Sequence, residues 1–352
     1  MAALLDALPG LAAALPHAPL GRWPSPLEPT RLYGRTVWLK REDLSADGYA
    51  GNKIRPLEIV FGAALAAGKR RIWATGAYGS NHALATVVQA PRAGLAPAAL
   101  LWPQPASATA RANLIATVST GAEVELLRSI AAFPFAAAWK ARRDARDWVM
   151  PPGAATPLGA LGHASAALEL AAQARALGED PGAIVLPCGS TCTTVGLLVG
   201  TALARALGAG FLRRLPRIHA VRVTPWPVTS ALRMARMAVA TARLLRSLGG
   251  PRLGLTVRSA LARLTVDGSY LGAGYGRPTP EGVQAIAELA PAGLLLDSTY
   301  SGKAAAYLEE HLGTLRGPVV FWATKSALPL PATDRARVAA LPGRVRAWLE
   351  AP

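Results

Sequence analysis

Cysteine is nearly absent from this chain: Cys188 and Cys192 are the only two among 352 residues. So sparse a supply excludes a disulfide scaffold. A structural zinc site needs about four ligands in paired spacings, and no histidine stands near these two in sequence, so no metal site is expected. Long apolar runs are missing too. Pro, Gly or a charge interrupts each one well short of the roughly 20 residues that span a bilayer. The apolar start MAALLDALPGLAAALPHAPL has no Lys or Arg ahead of it and carries Asp6 and Pro9, so it lacks the basic opening of a signal peptide. A soluble, cytoplasmic protein with no membrane partner is the expectation. No short repeat organises the abundant Ala, Gly and Pro, which excludes collagen, and half the residues are apolar, which excludes disorder. Neither a Gly-Lys-Ser/Thr phosphate loop nor a GxGxxG dinucleotide fingerprint occurs.

Acidic residues are also scarce: 21 Asp and Glu stand against 38 Lys and Arg, for a net charge of +17. From Pro181 to Val266 there are twelve Arg and no acid. Within that span SALRMARMAVATARLLRSLGG has helical periodicity, with Arg233, Arg236, Arg243 and Arg246 on one side of the wheel. An anionic partner such as nucleic acid is one reading. A solvated helix face in an Arg-biased composition is the plainer one, and it is preferred because no zinc finger, RNP-like aromatic motif or basic zipper accompanies the charge.

The length suits about two domains with a sizeable core. Short β-like runs (TVWLK, RRIWAT, APAALLW, AEVELL, GAIVLP, RIHAVRV, GLLLD and PVVFWA) alternate with longer helical stretches. That alternation predicts parallel α/β layers. MPPGAATPLGALG, Met150 to Gly162, reads as the crossing between two lobes. The expected division is a discontinuous large domain, 1–55 with 155–352, and a small α/β domain, 56–154, with a ligand cleft between them.

Three stretches can carry chemistry. In GYAGNKIRPLE, Lys53 sits where a loop becomes a helix, at the positive end of the helix dipole, which disfavours its charge. It is either a solvated surface lysine or an amine kept partly neutral for condensation with a carbonyl. After the strand RRIWAT, TGAYGSNHALA places Ser80 and Asn81 at a helix N-terminus, a ready carboxylate or phosphate site, or simply a cap. His82 follows, more ordinarily a packed histidine than a base. After GAIVLP, the small residues Gly189, Ser190, Thr191, Cys192 and Thr193 lead into another helix and form a candidate phosphate cup. An amine, a carboxylate site and a phosphate cup are together what pyridoxal 5'-phosphate and an amino-acid substrate require.

The chain also resembles the fold-type II pyridoxal-phosphate enzymes of the D-cysteine desulfhydrase and 1-aminocyclopropane-1-carboxylate (ACC) deaminase group. The likeness runs from PSPLEP to FWATKSA through WLKREDL, GNKIRPLE, TGAYGSNH, PPGAATPLGALGHASAALEL, GSTCT, GAGYGRPTPEG and LLLDSTYSGKA in order. It implies an α/β fold of two open twisted-sheet lobes, tryptophan synthase β-like, with the cofactor in the cleft. It implies that Lys53 is the cofactor-bearing lysine, that Asn81 lies beside the ring and that Ser80 faces the substrate, with His82 adjoining. Tyr275 and Tyr300 become the active-site tyrosines. Residues 189–193 take the phosphate, and the Thr324 hydroxyl faces the pyridine nitrogen.

Two departures stand out. Relatives carry Gly-Ser-Gly-Gly-Thr in the cup, where this chain has Thr191 and Cys192 for the paired glycines; relatives often read His-Thr-Gly-Gly where this chain has Ala323, Thr324, Lys325 and Ser326. Added Cβ atoms are expected to narrow the cup or to resist a positive φ. The expected activity is β-elimination from a small amino acid to a keto acid and ammonia. ACC-like ring opening, racemisation, β-replacement and a non-catalytic anion-binding descendant are the alternatives. A small amino acid and a second copy of the chain are the expected partners; nucleic acid is not.

Overall fold

The computed structural model describes residues 1–351. Ten strands form two sheets: β1 (Leu27–Leu32), β2 (Arg35–Lys40), β3 (Arg71–Ala77), β4 (Ala96–Trp102), β5 (Glu123–Leu126), β6 (Asp147–Val149), β7 (Ala183–Cys188), β8 (Arg217–Arg222), β9 (Leu264–Asp267) and β10 (Val319–Trp322). The larger sheet has the order β1-β2-β10-β7-β8-β9 and is parallel except for the β1–β2 hairpin. The smaller, β5-β4-β3-β6, is parallel throughout. Strands covered on both faces need near-continuous apolar sequence. AIVLPC of β7 is buried at all six positions, and six of the seven residues of β3 are buried.

Helices cover the sheets. The longest, Pro157–Ala176, starts where the MPPGAATPLGALG segment leaves the smaller sheet. Thr156 caps it by accepting from Gly159 N at 3.0 Å, and Pro157 takes the first helical position, where no donor is lost. The helix Cys192–Ala206 lies tightly against it. A Cβ on Gly196 would stand 2.3 Å from His163 Cβ, so only glycine permits that approach.

Of the eight β-like runs, GLLLD forms no strand. Leu294 and Leu296 are buried and Leu295 is half exposed, so the alternation is present. The segment has no neighbouring strand to pair with; it packs on the helical layer beside β7 and β10 and places Asp297 behind the cleft lining, against Asn81. β1, β6 and β9, short and partly polar, were not anticipated. A division at residues 55 and 155, still a proposal, puts all four strands of the smaller sheet in 56–154. The helices Arg335–Ala339 and Gly343–Glu350 do not follow it. Leu341 and Val345 enter the core of the smaller lobe with Leu84 and Leu114, and Trp348 packs edge-on against Tyr78 at 5.2 Å.

Beneath the helix Ile54–Ala66 lies a buried ionic cluster. Arg55 donates to Glu42 at 2.6 and 2.9 Å and to Glu169 at 3.0 and 3.1 Å, while Lys40 pairs with Glu169 and donates to Gln173 at 2.8 Å. Ser25 bridges Glu42 and Glu169 through its hydroxyl.

Candidate active site

The C-terminal ends of β3, β7 and β10 open into one cleft of about 500 Å³ between the sheets. This is where open parallel sheets hold ligands. All twelve residues singled out from the sequence line it: Lys53, Ser80, Asn81, His82, Gly189, Ser190, Thr191, Cys192, Thr193, Tyr275, Tyr300 and Thr324. The roles assigned to them remain proposals; their convergence is observed.

Lys53 ends the short 3-10 turn Gly51–Lys53 and precedes the helix Ile54–Ala66, the expected loop-to-helix join. The turn is fixed by Gly51, whose φ is +59° and whose missing Cβ would otherwise sit 2.4 Å from the Thr324 carbonyl oxygen. Asn52 N donates to that same oxygen at 3.2 Å, which ties the lysine loop to the end of β10. The ammonium faces the cleft without an acidic partner. Burial holds its pKa below the ordinary lysine range, and the charge of Asp297 opposes this only in part. The solvated-lysine reading fails.

Ser80 caps the helix Asn81–Gln89, its Oγ accepting from Ala83 N at 3.1 Å. The hydroxyl proton stays free. Asn81 is held firmly: its Oδ1 accepts from Tyr49 and Asn113, both at 2.7 Å, and its Nδ2 donates to Asp297 at 3.3 Å. His82 is buried with neither ring nitrogen bonded, and burial reinforced by the Lys53 charge lowers its pKa to about 3. It is therefore neutral at physiological pH.

The cup is built on the N-terminus of the helix Cys192–Ala206. Thr191 holds φ +79°, so a β-branched residue occupies the left-handed region that glycine adopts most readily. The expectation that an added side chain would resist a positive φ is not met at Thr191. Thr191 Oγ1 is buried and unpartnered. The Cys192 thiol turns away to the Ala154 carbonyl at 3.4 Å, leaving its backbone rather than its sulfur toward the cup. Burial raises the thiol pKa to about 12 for Cys192 and to about 11 for Cys188, so both are un-ionised and free. Thr193 Oγ1 accepts from Asn52 Nδ2 at 3.0 Å and lies 3.2 Å from His163 Nε2.

Across the cleft the hydroxyls of Tyr275 and Tyr300 are 2.6 Å apart. Burial raises the Tyr275 pKa to about 12 and pushes that of Tyr300 well above the usual phenol range. Both phenols are donors, not bases. Asp297 sets Tyr300 by accepting from its N–H at 2.6 Å and from Thr299 N at 2.9 Å. Sequence reading missed Asp297, Tyr49 and Asn113. Only Asp297 left a trace, as an acid two residues before a threonine in a DSTY turn. Thr224 and Arg233, also in the lining, were missed as site residues.

These features fit pyridoxal phosphate. An unpaired, half-buried amine faces a helix N-terminus with an orphan hydroxyl, and the unpartnered Asn52 Oδ1 lies beside them. Comparison with known proteins agrees. Residues 19–325 match the family described as pyridoxal-phosphate dependent enzyme, and the chain belongs to that family. Nocardicin C-9' epimerase of Nocardia uniformis subsp. tsuyamanensis is 35% identical over 322 residues, covering 89% of this chain and 93% of the relative. D-cysteine desulfhydrase of Yersinia pestis (strain Pestoides F) is 32% identical, covering 84% and 87%. Among solved structures, an ACC deaminase homologue superposes with a TM-score of 0.73 at 27% identity, covering 92% of this chain and 95% of that one. A T.th. threonine deaminase structure, at 22% identity and a TM-score of 0.61, covers 92% of this chain and 99% of its own and shares the fold. The fold is that of the type II pyridoxal-phosphate enzymes, and the protein is a pyridoxal-phosphate-dependent enzyme. Among the described residues no helix is long and apolar enough to cross a membrane.

Proposed function

We propose that the enzyme is a lyase or deaminase that removes the α-proton of a small amino acid and expels a β-substituent, leaving a keto acid and ammonia. When bound, pyridoxal phosphate supplies an aldehyde for an amine and a ring that accepts the electrons of the broken Cα–H bond. Lys53 is the anchoring amine and, once displaced by substrate, the base that takes the α-proton. Its lowered pKa gives a larger neutral fraction near pH 7 than an exposed lysine has. The helix end at Ser80 and Asn81 holds the substrate carboxylate. Asn81, fixed by three partners, steadies the ring.

The observation that carries this reading is the pairing, in one cleft without a carboxylate in its lining, of an unpaired amine with two hydrogen-bonded, protonated phenols. The amine accepts a proton and a phenol delivers one to the departing group. Thr324 would offer the bound ring a neutral hydroxyl rather than an acid.

Epimerisation is the second reading, supported by the 35% identity to an epimerase and by the Trp102, Ile130 and Phe133 wall of the cleft, which accommodates more than a cysteine side chain. Incubation with D-cysteine, D-serine and ACC in D2O separates the two. Elimination or ring opening releases ammonia and a keto acid; epimerisation gives inverted, deuterated amino acid with no ammonia. Inversion of D-cysteine and D-serine without ammonia, with ACC left untouched, would replace the first reading by the second.

A further inference from the structure

We propose that Arg233 is a ligand of the cofactor phosphate, supplying charge to a cup that otherwise offers only backbone and hydroxyl groups. The proposal rests on the assignment of residues 189–193 as the phosphate cup. Among the described residues lining the cleft, Lys53 and Arg233 are the only formally charged side chains, and neither faces an acid there. Lys53 is committed to the aldehyde end. Arg233 is then the one full positive charge left for a phosphate dianion.

Its placement follows from the fold. Arg233 stands in the first turn of the helix Ala231–Ser247, after the cap Ser230. A cation in that turn opposes the helix dipole, so the position is unfavourable unless an anion answers it. The loop leading to this helix is fastened to the cup itself. Thr229 Oγ1 donates to the Gly189 carbonyl at 2.6 Å and Thr224 Oγ1 donates to it at 3.3 Å. The next residue, Met234, sets its sulfur 3.7 Å from Cys188 Sγ, immediately before the cup. Arg233 Nη1 donates to the Val228 carbonyl at 2.6 Å; the other guanidinium N–H groups have no protein partner among the described residues. A guanidinium held by one nitrogen and open at the rest suits a phosphate, which it meets through paired N–H···O bonds. All four arginines of this helix, Arg233, Arg236, Arg243 and Arg246, are exposed, but of these only Arg233 lines the cleft.

The test compares pyridoxal 5'-phosphate with pyridoxal, which has the aldehyde and ring but no phosphate. Both are titrated into cofactor-free wild-type, Arg233→Gln and Arg233→Lys proteins, with binding read by absorbance and tryptophan fluorescence. Arg233→Gln should weaken pyridoxal phosphate on the order of 10-fold, as expected for one charge-assisted contact, and leave pyridoxal unchanged. Arg233→Lys should recover part of the loss. Equal weakening of both ligands, or of neither, overturns the proposal. An unchanged cofactor affinity with a raised KM for substrates bearing a distal anion also overturns it, and moves Arg233 to the substrate. Borohydride labelling of Lys53 at saturating cofactor keeps the two readings apart. Label on Lys53 with no phosphate-specific loss sinks Arg233 alone, whereas absence of label sinks the cofactor site as a whole.

Discussion

Lys53 and Arg55 are two residues apart, the first half-buried and the second fully buried, and opposite in electrostatic fate. Arg55 lies in a cluster where burial is answered by Glu42 and Glu169, and its pKa rises although burial alone would lower it. Lys53 turns into the cleft, where burial acts without a paired carboxylate, and its pKa falls. One pattern makes a joint and the other leaves an amine without a partner. The difference shows that a short helix start can serve both ends, because successive side chains diverge by about 100° around the axis. One residue points into the interior and the other into the cleft.

The largest test of the contrast is Lys53→Ala. It should abolish turnover and eliminate borohydride-stable cofactor, while circular dichroism and the unfolding midpoint stay near wild type; label recovered on another lysine would break the assignment. Glu169→Gln attacks the other side. It leaves Arg55 and Lys40 short of a buried partner, and the expected loss is about 3–5 kcal/mol in urea unfolding. A loss under about 1 kcal/mol would mean that the cluster is already open to water.

Ser80→Ala should be milder. It removes one hydroxyl but not the helix end, so the cofactor should stay bound while turnover falls on the order of 10²-fold. Loss of cofactor would instead make Ser80 a cofactor ligand. The pH dependence of stability sharpens the comparison further. The folded pKa of Lys53 lies below its unfolded value of roughly 10.4, so below both values the cost of burying its charge is fully present. As pH rises through the folded value the native state releases its proton first, and stability of the cofactor-free protein should increase across the window up to the unfolded value. Lys53→Met should flatten that increment in unfolding measured across the window. The smallest effect belongs to the solvated face. Replacing Arg236, Arg243 and Arg246 singly by Gln should change stability by no more than about 0.5 kcal/mol, and any binding to DNA should collapse with added salt. DNA binding that persists and prefers a sequence would restore the anionic-partner reading.

Much of the site was legible because each of its blocks follows a strand: GNK after TVWLK and its acidic turn, GSNH after RRIWAT, GSTCT after GAIVLP. Strand ends are readable from apolar runs, and small or hydroxyl residues after them mark turns. GLLLD misled because alternation reports burial on one face, not the presence of a neighbour to pair with. Asp297, Tyr49 and Asn113 were hidden for a related reason. They act on Asn81 and Tyr300 from segments remote in sequence, and nothing local distinguishes such a side chain from an ordinary polar one. The C-terminal helices escaped the expected division because their apolar stripes do not say which lobe they cover.

The last strand in the chain lies in the middle of the larger sheet. β10 pairs with β2 on one side and β7 on the other, so the amino-terminal hairpin joins the rest of that sheet only through residues 319–322. On a ribosome, the two halves of that sheet are therefore separate until residues 319–322 have been made. The smaller sheet, complete by Val149, has no such wait. Such distant pairing slows folding and leaves the flanks of β2 and β7 exposed in the meantime. A nascent chain paused before Val319 would carry both of those open edges, and would lack Thr324 and the carbonyl against which the lysine loop is set. The strand that completes the cleft is thus synthesised after every other strand of the two sheets.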